Sequence, residues 1–269
     1  MQGQGEDQWR MIGVDAPLQG PSGARQASPA MAFLLRSMNT TMLQHAARHA
    51  AQQVIDLIYP PCCISCSRAC AAAGALCPGC WCRVRFVERP YCERLGTPFA
   101  QDLGDGLISP EAFADPPVYA RARAVAAYDA GPARDLVHHL KYGDRLELAE
   151  SMGLWMARAG SELARSADVI LPVPLHRRRL FQRRFNQAAE LARVVARHTH
   201  RRFEPGALLR VKPTTPQVGL SRAQRAENVQ GAFRVAENSR SLVQARNVLL
   251  VDDVLTTGAT LNAAARVLL

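Results

Sequence analysis

Lysine is nearly missing. Of the 33 basic residues in this 269-residue chain, only Lys141 and Lys212 are lysines. Neither follows a glycine, so the Gly-Lys-Ser/Thr core of a P-loop is excluded by inspection. The G-x-G-x-x-G fingerprint of dinucleotide-binding folds is absent too. No uncharged apolar run reaches the ~18 residues of a membrane span, so no membrane insertion is expected. The short run Ala30 to Leu35 is too brief for an export signal and follows Glu6 and Asp7. Nothing marks the chain as secreted, and a cytoplasmic location is the expectation. Aromatic residues are only 6%. Gly 18 and Pro 17 are ordinary counts for this length and exclude collagen-like and low-complexity classes.

What is present is arginine, in one place. Residues 176–225 hold twelve arginines and Lys212 against Glu190 and Glu204, so this stretch supplies the whole net charge of +10. A field concentrated in this way suits a polyanion, either nucleic acid or a phosphate-rich small molecule. The plainer alternative is a solvated, arginine-biased face. Phe181, Phe185 and Phe203 are the main rings of the stretch, thin for a base-stacking platform.

Length alone allows one or two domains. Residues 1–37, rich in Gln, Gly, Pro and Ser, read as a disordered tail or a spurious upstream extension. Residues 38–96 read as a helix over about 39–58 followed by a module that holds all eight cysteines. Residues 97–117 read as a linker. From 118 to 269 short apolar runs alternate with amphipathic stretches. These predict strands near 122–128, 168–174, 208–211, 233–235 and 247–252, and helices over 146–163, over 186–198 and from about 258. That alternation predicts an α/β fold with a doubly wound, mostly parallel sheet.

Cys63-x2-Cys66, ten residues, then Cys77-x2-Cys80 is the spacing of a four-thiolate metal site. Structural zinc is the expected occupant, because the segment has few apolar residues of its own and metal binding would supply folding energy. Disulfides are disfavoured without a secretory context. Cys62 could replace Cys63, and Cys82 or Cys92 could replace Cys80; an iron–sulfur cluster is the weaker alternative.

The most informative stretch is Val248-Leu-Leu-Val-Asp252-Asp253-Val-Leu-Thr256-Thr257-Gly258-Ala259-Thr260. Four apolar residues make a buried strand, two acids sit at its carboxyl end, and a Thr/Gly loop opens a helix. Ligands of open α/β sheets bind outside the carboxyl ends of strands. Backbone N–H groups of residues 256–260 would cradle a phosphate, with hydroxyls from Thr256, Thr257 and Thr260. Asp252 and Asp253 would accept hydrogen bonds from sugar hydroxyls. Acids beside a phosphate cup imply a sugar phosphate with a free diol.

This stretch resembles the thirteen-residue signature of type I phosphoribosyltransferases, which bind phosphoribosyl pyrophosphate. Together with the Cys-x2-Cys pairs, Leu140-Lys141-Tyr142-Gly143-Asp144, Pro172-Val-Pro-Leu-His176-Arg-Arg-Arg, Arg184-Phe185-Asn186-Gln187 and the segment Thr215 to Phe233, it resembles the ComF family over roughly residues 54–269. The resemblance implies a zinc-finger head on a phosphoribosyltransferase-like body, linked to natural competence and DNA uptake. It implies that the loop Pro174 to Arg178, with Arg177 and Arg178, neutralises a diphosphate, with Arg177 joining Asp252 and Asp253 as catalytic residues. The segment Lys212 to Asn228, with Arg222 and Arg225, would close over the ligand, and Mg²⁺ would ride on diphosphate and ribose oxygens. Single-stranded DNA and DNA-uptake helicase machinery are the implied partners. Two functions follow: a pyrophosphate-releasing transferase with an unknown acceptor, or a DNA-binding or regulatory module that keeps the sugar-phosphate pocket. Relatives carry a further Cys-x2-Cys pair where this chain has Cys92-Glu-Arg-Leu95, so a second metal site is not expected. Relatives also run on through another strand, which implies C-terminal truncation here.

Overall fold

The computed structural model describes residues 8–14 (backbone only), 60–72, 74–102, 104, 106–143, 145–215 and 219–269. The helix expected over 39–58 and most of the expected tail lie outside these residues. In chain order the strands are β1 Gln8–Val14, β2 Arg121–Ala127, β3 Val169–Pro172, β4 Arg202–Phe203, β5 Leu208–Arg210, β6 Phe233–Val235 and β7 Val248–Val251. The main sheet has the order β2-β1-β7-β3-β4. β3 is parallel to β4 and β7, whereas β1 is antiparallel to both β2 and β7. Thus β2, β7, β3 and β4 all point one way, with β1 inserted against the grain. β5 and β6 form a separate antiparallel pair.

β3 and β7 are buried at every position, which is why both read as unbroken apolar runs rather than as alternations. Their side chains divide with period two. Ile170, Leu249 and Val251 face one core with Leu136, Met152 and Leu191 of the helices Pro132–Tyr142, Leu148–Ala159 and Gln187–Thr199. Val169, Leu171, Val248 and Leu250 face the other core, with Phe233 of β6 and Leu261 of the helix Ala259–Arg266. Elements packed on both faces of a largely parallel sheet give the expected mixed α/β architecture. The helix expected over 146–163 is interrupted at Gly160, where Leu148–Ala159 ends and Ser161–Ser166 begins; glycine is the weakest helix former after proline. Among the described residues no helix is long and apolar enough to cross a membrane.

Three segments differ from expectation. Gln8–Val14 is a sheet strand, not part of an unstructured tail. Its pairing partners lie over 100 residues away, so no local pattern could announce it. The expected linker 97–117 contains the helix Pro110–Ala114, whose start is capped by buried Ser109 accepting from the Ala112 N–H. The cysteine module, expected to stand apart, is joined to the body. Residues 85–87 pair with β2 through Val87 N–H to Val125 O (2.9 Å) and Ala127 N–H to Arg85 O (2.9 Å), and so cover a sheet edge. Trp81 and Phe86 meet Trp155 of the body edge-on, at 5.2 and 5.7 Å between ring centroids.

The same junction holds a buried charge. Arg123 on β2 is 2% exposed, pairs with Glu93 and Glu162, and donates to the carbonyls of Glu93 and Ala122, both at 2.8 Å. Tyr91 lies between Arg123 and Arg89, at 4.5 and 4.8 Å. Gly96 reaches β2 so closely (with φ +65°) that a Cβ there would fall 2.5 Å from the Ala122 carbonyl oxygen. A buried charge is tolerated only with its partners, and removing one side of such a pair costs about 3–5 kcal/mol. Arg123→Ala is therefore expected to lower urea stability by about 3 kcal/mol. Arg222→Ala, whose pair with Asp115 is solvent-exposed, should change it by less than about 1 kcal/mol.

Candidate functional site: a strand-end cavity and a four-cysteine centre

The Cys63–Cys80 segment folds around its own thiols. Cys63, Cys77 and Cys80 are buried, and the Sγ atoms of Cys63, Cys66, Cys77 and Cys80 all lie within 4.8 Å of one another. Cys66 and Cys77 are 3.6 Å apart. Tetrahedral zinc with bonds of about 2.3 Å sets sulfur–sulfur edges near 4 Å, so the set fits that ion. Arg83 donates to the Cys80 sulfur at 3.1 Å, a cationic contact that holds this thiol below its ordinary range. The surplus cysteines have other duties. Cys62 donates to the Pro60 carbonyl, Cys70 to that of Ala72, and buried Cys92 accepts the N–H groups of Leu95 and Ser109. Cys82 is exposed and outside the cluster.

At the carboxyl ends of β3 and β7 a cavity of about 350 Å³ opens. Of the residues expected at a ligand site, Asp252, Asp253, Thr256, Gly258, Ala259, Thr260 and Arg225 line it. Gly258 takes φ +76° at the start of the helix Ala259–Arg266, a left-handed turn that suits glycine, and no side chain caps that start. Thr257, also expected at the ligand, is not among the residues lining the cavity, and its hydroxyl is buried with no hydrogen-bond partner.

The arginines differ from expectation. Arg177 and Arg178 do not line this cavity; Arg177 lines a neighbouring hollow. Arg222 is held outside by Asp115. The cations at the cavity are the expected Arg225 together with Lys141, Arg179, Arg183 and Arg210. Arg179 and Arg183 are one helical turn apart on Arg177–Arg183, and that i, i+4 spacing was the available sequence signal. Lys141, within the motif of residues 140–144, comes from the last turn of Pro132–Tyr142 and Arg210 from the end of β5; nothing local marks Arg210. Asn186 ties the floor together, accepting from the Ala188 N–H and donating to the Val173 carbonyl at 3.0 Å.

The two acids are not equivalent. Asp253 is paired to Lys141 Nζ at 3.0 Å. Asp252 is desolvated and sits beside Asp253, which together lift its carboxyl to about 7 against the opposing pull of the Asp253 N–H, Lys141 and Arg210. Burial holds Arg210 below the ordinary guanidinium range, with Arg179 adding repulsion. Arg179 is held down likewise, by burial and then by Arg183. The cavity thus sets a carboxylate pair against a group of crowded, desolvated cations.

Cavity and cysteine centre define an α/β protein with a zinc-ribbon head and an acid pair facing a group of cations. A double zinc ribbon domain matches residues 54–111. The DNA utilization protein YhgH of Escherichia coli O6:H1 is 32% identical over 77% of this chain and 83% of its own length. Competence protein F of Haemophilus influenzae is 29% identical over 73% and 85%. Competence protein ComFC of Bacillus subtilis is 33% identical over 38% of each. No solved structure matches significantly. The chain belongs to the ComF family.

Zinc content by mass spectrometry is expected at one ion per chain, lost in Cys77→Ser and retained in Cys92→Ser. Because the carboxyl of Asp252 titrates higher in the folded protein than in the unfolded chain, its ionisation opposes folding. That penalty is absent below about pH 4, grows as pH rises towards 7 and is complete above it. Asp252→Asn should therefore melt higher than the parent at pH 8 and coincide with it near pH 4.

Proposed function

We propose that the strand-end cavity binds phosphoribosyl pyrophosphate with Mg²⁺ on a phosphoribosyltransferase-like body, and that the protein transfers its phosphoribosyl group. The observation that carries this reading is the opposition just described. Asp252 and Asp253 can accept hydrogen bonds from hydroxyls, while Arg179, Arg183, Arg210, Arg225 and a helix start behind Gly258 favour an anion. A phosphorylated sugar with a free diol satisfies both walls at once, and a second phosphate group accounts for the number of cations.

In the proposed reaction the 5′-phosphate sits on N–H groups of residues 256–260 and the Thr256 and Thr260 hydroxyls that line the cavity. The ribose diol meets Asp252 and Asp253, with Lys141 paired to Asp253. Arg179 and Arg210 hold the diphosphate. An acceptor atom forms a bond to the anomeric carbon while the bond to pyrophosphate breaks and its electron pair leaves with pyrophosphate; charge passes through an oxocarbenium-like state. The cations stabilise the departing charge. Bound Mg²⁺ supplies further neutralisation of the diphosphate, held mostly by ligand oxygens.

A second reading has its own observation. On the helix Arg177–Arg183, which has no buried residue, Phe181 is 90% exposed beside Arg177 and Arg178. An exposed ring among arginines suits single-stranded DNA, and the relatives are named for DNA utilization and competence. Calorimetry decides the first reading. Phosphoribosyl pyrophosphate with Mg²⁺ should bind, and Asp252→Asn and Arg179→Ala should each weaken it about 10- to 100-fold, the worth of one charge-assisted hydrogen bond. Absence of binding to the folded protein overturns it. Anisotropy with oligonucleotides tests the second: an affinity that Phe181→Ala leaves unchanged would remove it.

A further inference from the structure

Beside the strand-end cavity lies a second hollow of about 580 Å³, large enough for a small organic ligand. The two share Pro174, Leu175, Asn186 and Arg210 as a common wall. The second hollow has no aspartate or glutamate in its lining, yet His176, Arg177, Arg210 and Arg234 all face it. The rest is mostly apolar and includes Leu175, Leu180, Leu208 and Leu209. Arg234 stands directly opposite Leu209 in the β5–β6 pairing, so cation and apolar surface are side by side. In the common wall the Arg210 Nε is buried without a hydrogen-bond partner, and a buried donor left unmade is costly. The Nδ1 of His176 accepts the Arg178 N–H at 3.3 Å, which leaves Nε2 as the ring's donor when neutral. Every polar side chain named here can donate; none carries a negative charge.

We infer that this second hollow binds a small organic anion: a carboxylate or phosphate on a flat apolar body, its charge on Arg177 and Arg234 and its body on the leucines. Across Arg210 from the proposed sugar-phosphate cavity, such a ligand is placed as the acceptor. That role rests on the proposed function; the anion site does not. Neutral bases lack the charge that four donors without a carboxylate demand, and long polyanions lack the apolar body.

The test uses the full chain and saturation-transfer NMR with paired probes: benzoate against benzamide, nicotinate against nicotinamide, and phenyl phosphate to separate the two head groups. The acids are expected to bind at least tenfold more tightly than the amides. Arg234→Ala and Arg177→Ala should each remove most of that preference. Asp252→Asn, which alters only the first cavity, should leave it intact. Circular dichroism checks that each variant is folded. Equal binding of acids and amides, a preference untouched by Arg234→Ala, or one abolished by Asp252→Asn would each overturn the inference. Acid binding without phosphoribosyl pyrophosphate binding would uphold the site and overturn only the proposed function.

Discussion

Two neighbouring carboxylates at the end of one buried strand cannot both ionise without a cation, and the Lys141–Asp253 pair supplies it. The chemistry of the cavity depends on this contact. It sets a cation against one acid, leaves the carboxyl of its buried neighbour Asp252 raised to about 7, and requires the helix Pro132–Tyr142 to end where its last turn reaches Asp253. That helix is positioned by Leu136, Val137 and Leu140 in the core. Packing on one face of the sheet therefore sets the electrostatics at its end.

The head of the molecule follows similar logic. A four-cysteine centre has too little apolar surface to hold a place by itself, and here its exit strand borrows the edge of β2 while its aromatic residues lean on Trp155. Residues 89–96 are fixed by the Arg123 cluster and by Cys92 accepting two backbone N–H groups. Ion pairs and thiol hydrogen bonds cross-link this segment.

How much of this was legible in the sequence depends on how local each cause is. The cysteine spacing, β3, β7 and the acid–threonine–glycine loop are encoded within a few residues of themselves, and the structure places them at the metal cluster and at the cavity. The 186–198 helix was visible for the same reason: Asn186 caps it and its apolar residues repeat on one face. Of the cavity's cations only Arg225 was visible. A motif reading puts Arg177 and Arg178 at the ligand, but Arg179 and Arg183 of the helix beginning at Arg177 line the cavity instead. Lys141, Arg210 and β1 reach their places only through long-range packing.

The concentration of arginine in residues 176–225 also has more than one physical meaning. Arg193, Arg197 and Arg202 are matched by Glu190, Glu150 and Glu204 on the surface, where such pairs are worth little. Arg179, Arg183 and Arg210 crowd at the cavity, and crowding desolvated guanidinium groups costs free energy that an ordinary face would not incur. Two of them are partly relieved by one residue: Arg210 donates to the Thr214 hydroxyl at 2.6 Å and Arg179 to its carbonyl at 3.2 Å. Thr215 is fastened in turn by Asn228, across the connection from β5 to β6. The cations that face Asp252 and the cavity are thus the ones that tether this connection. Each of these two arginines gives one Nη2 group to Thr214 and keeps further N–H donors, among them the unpartnered Nε of Arg210, so the connection and the cavity's charge rest on the same two side chains.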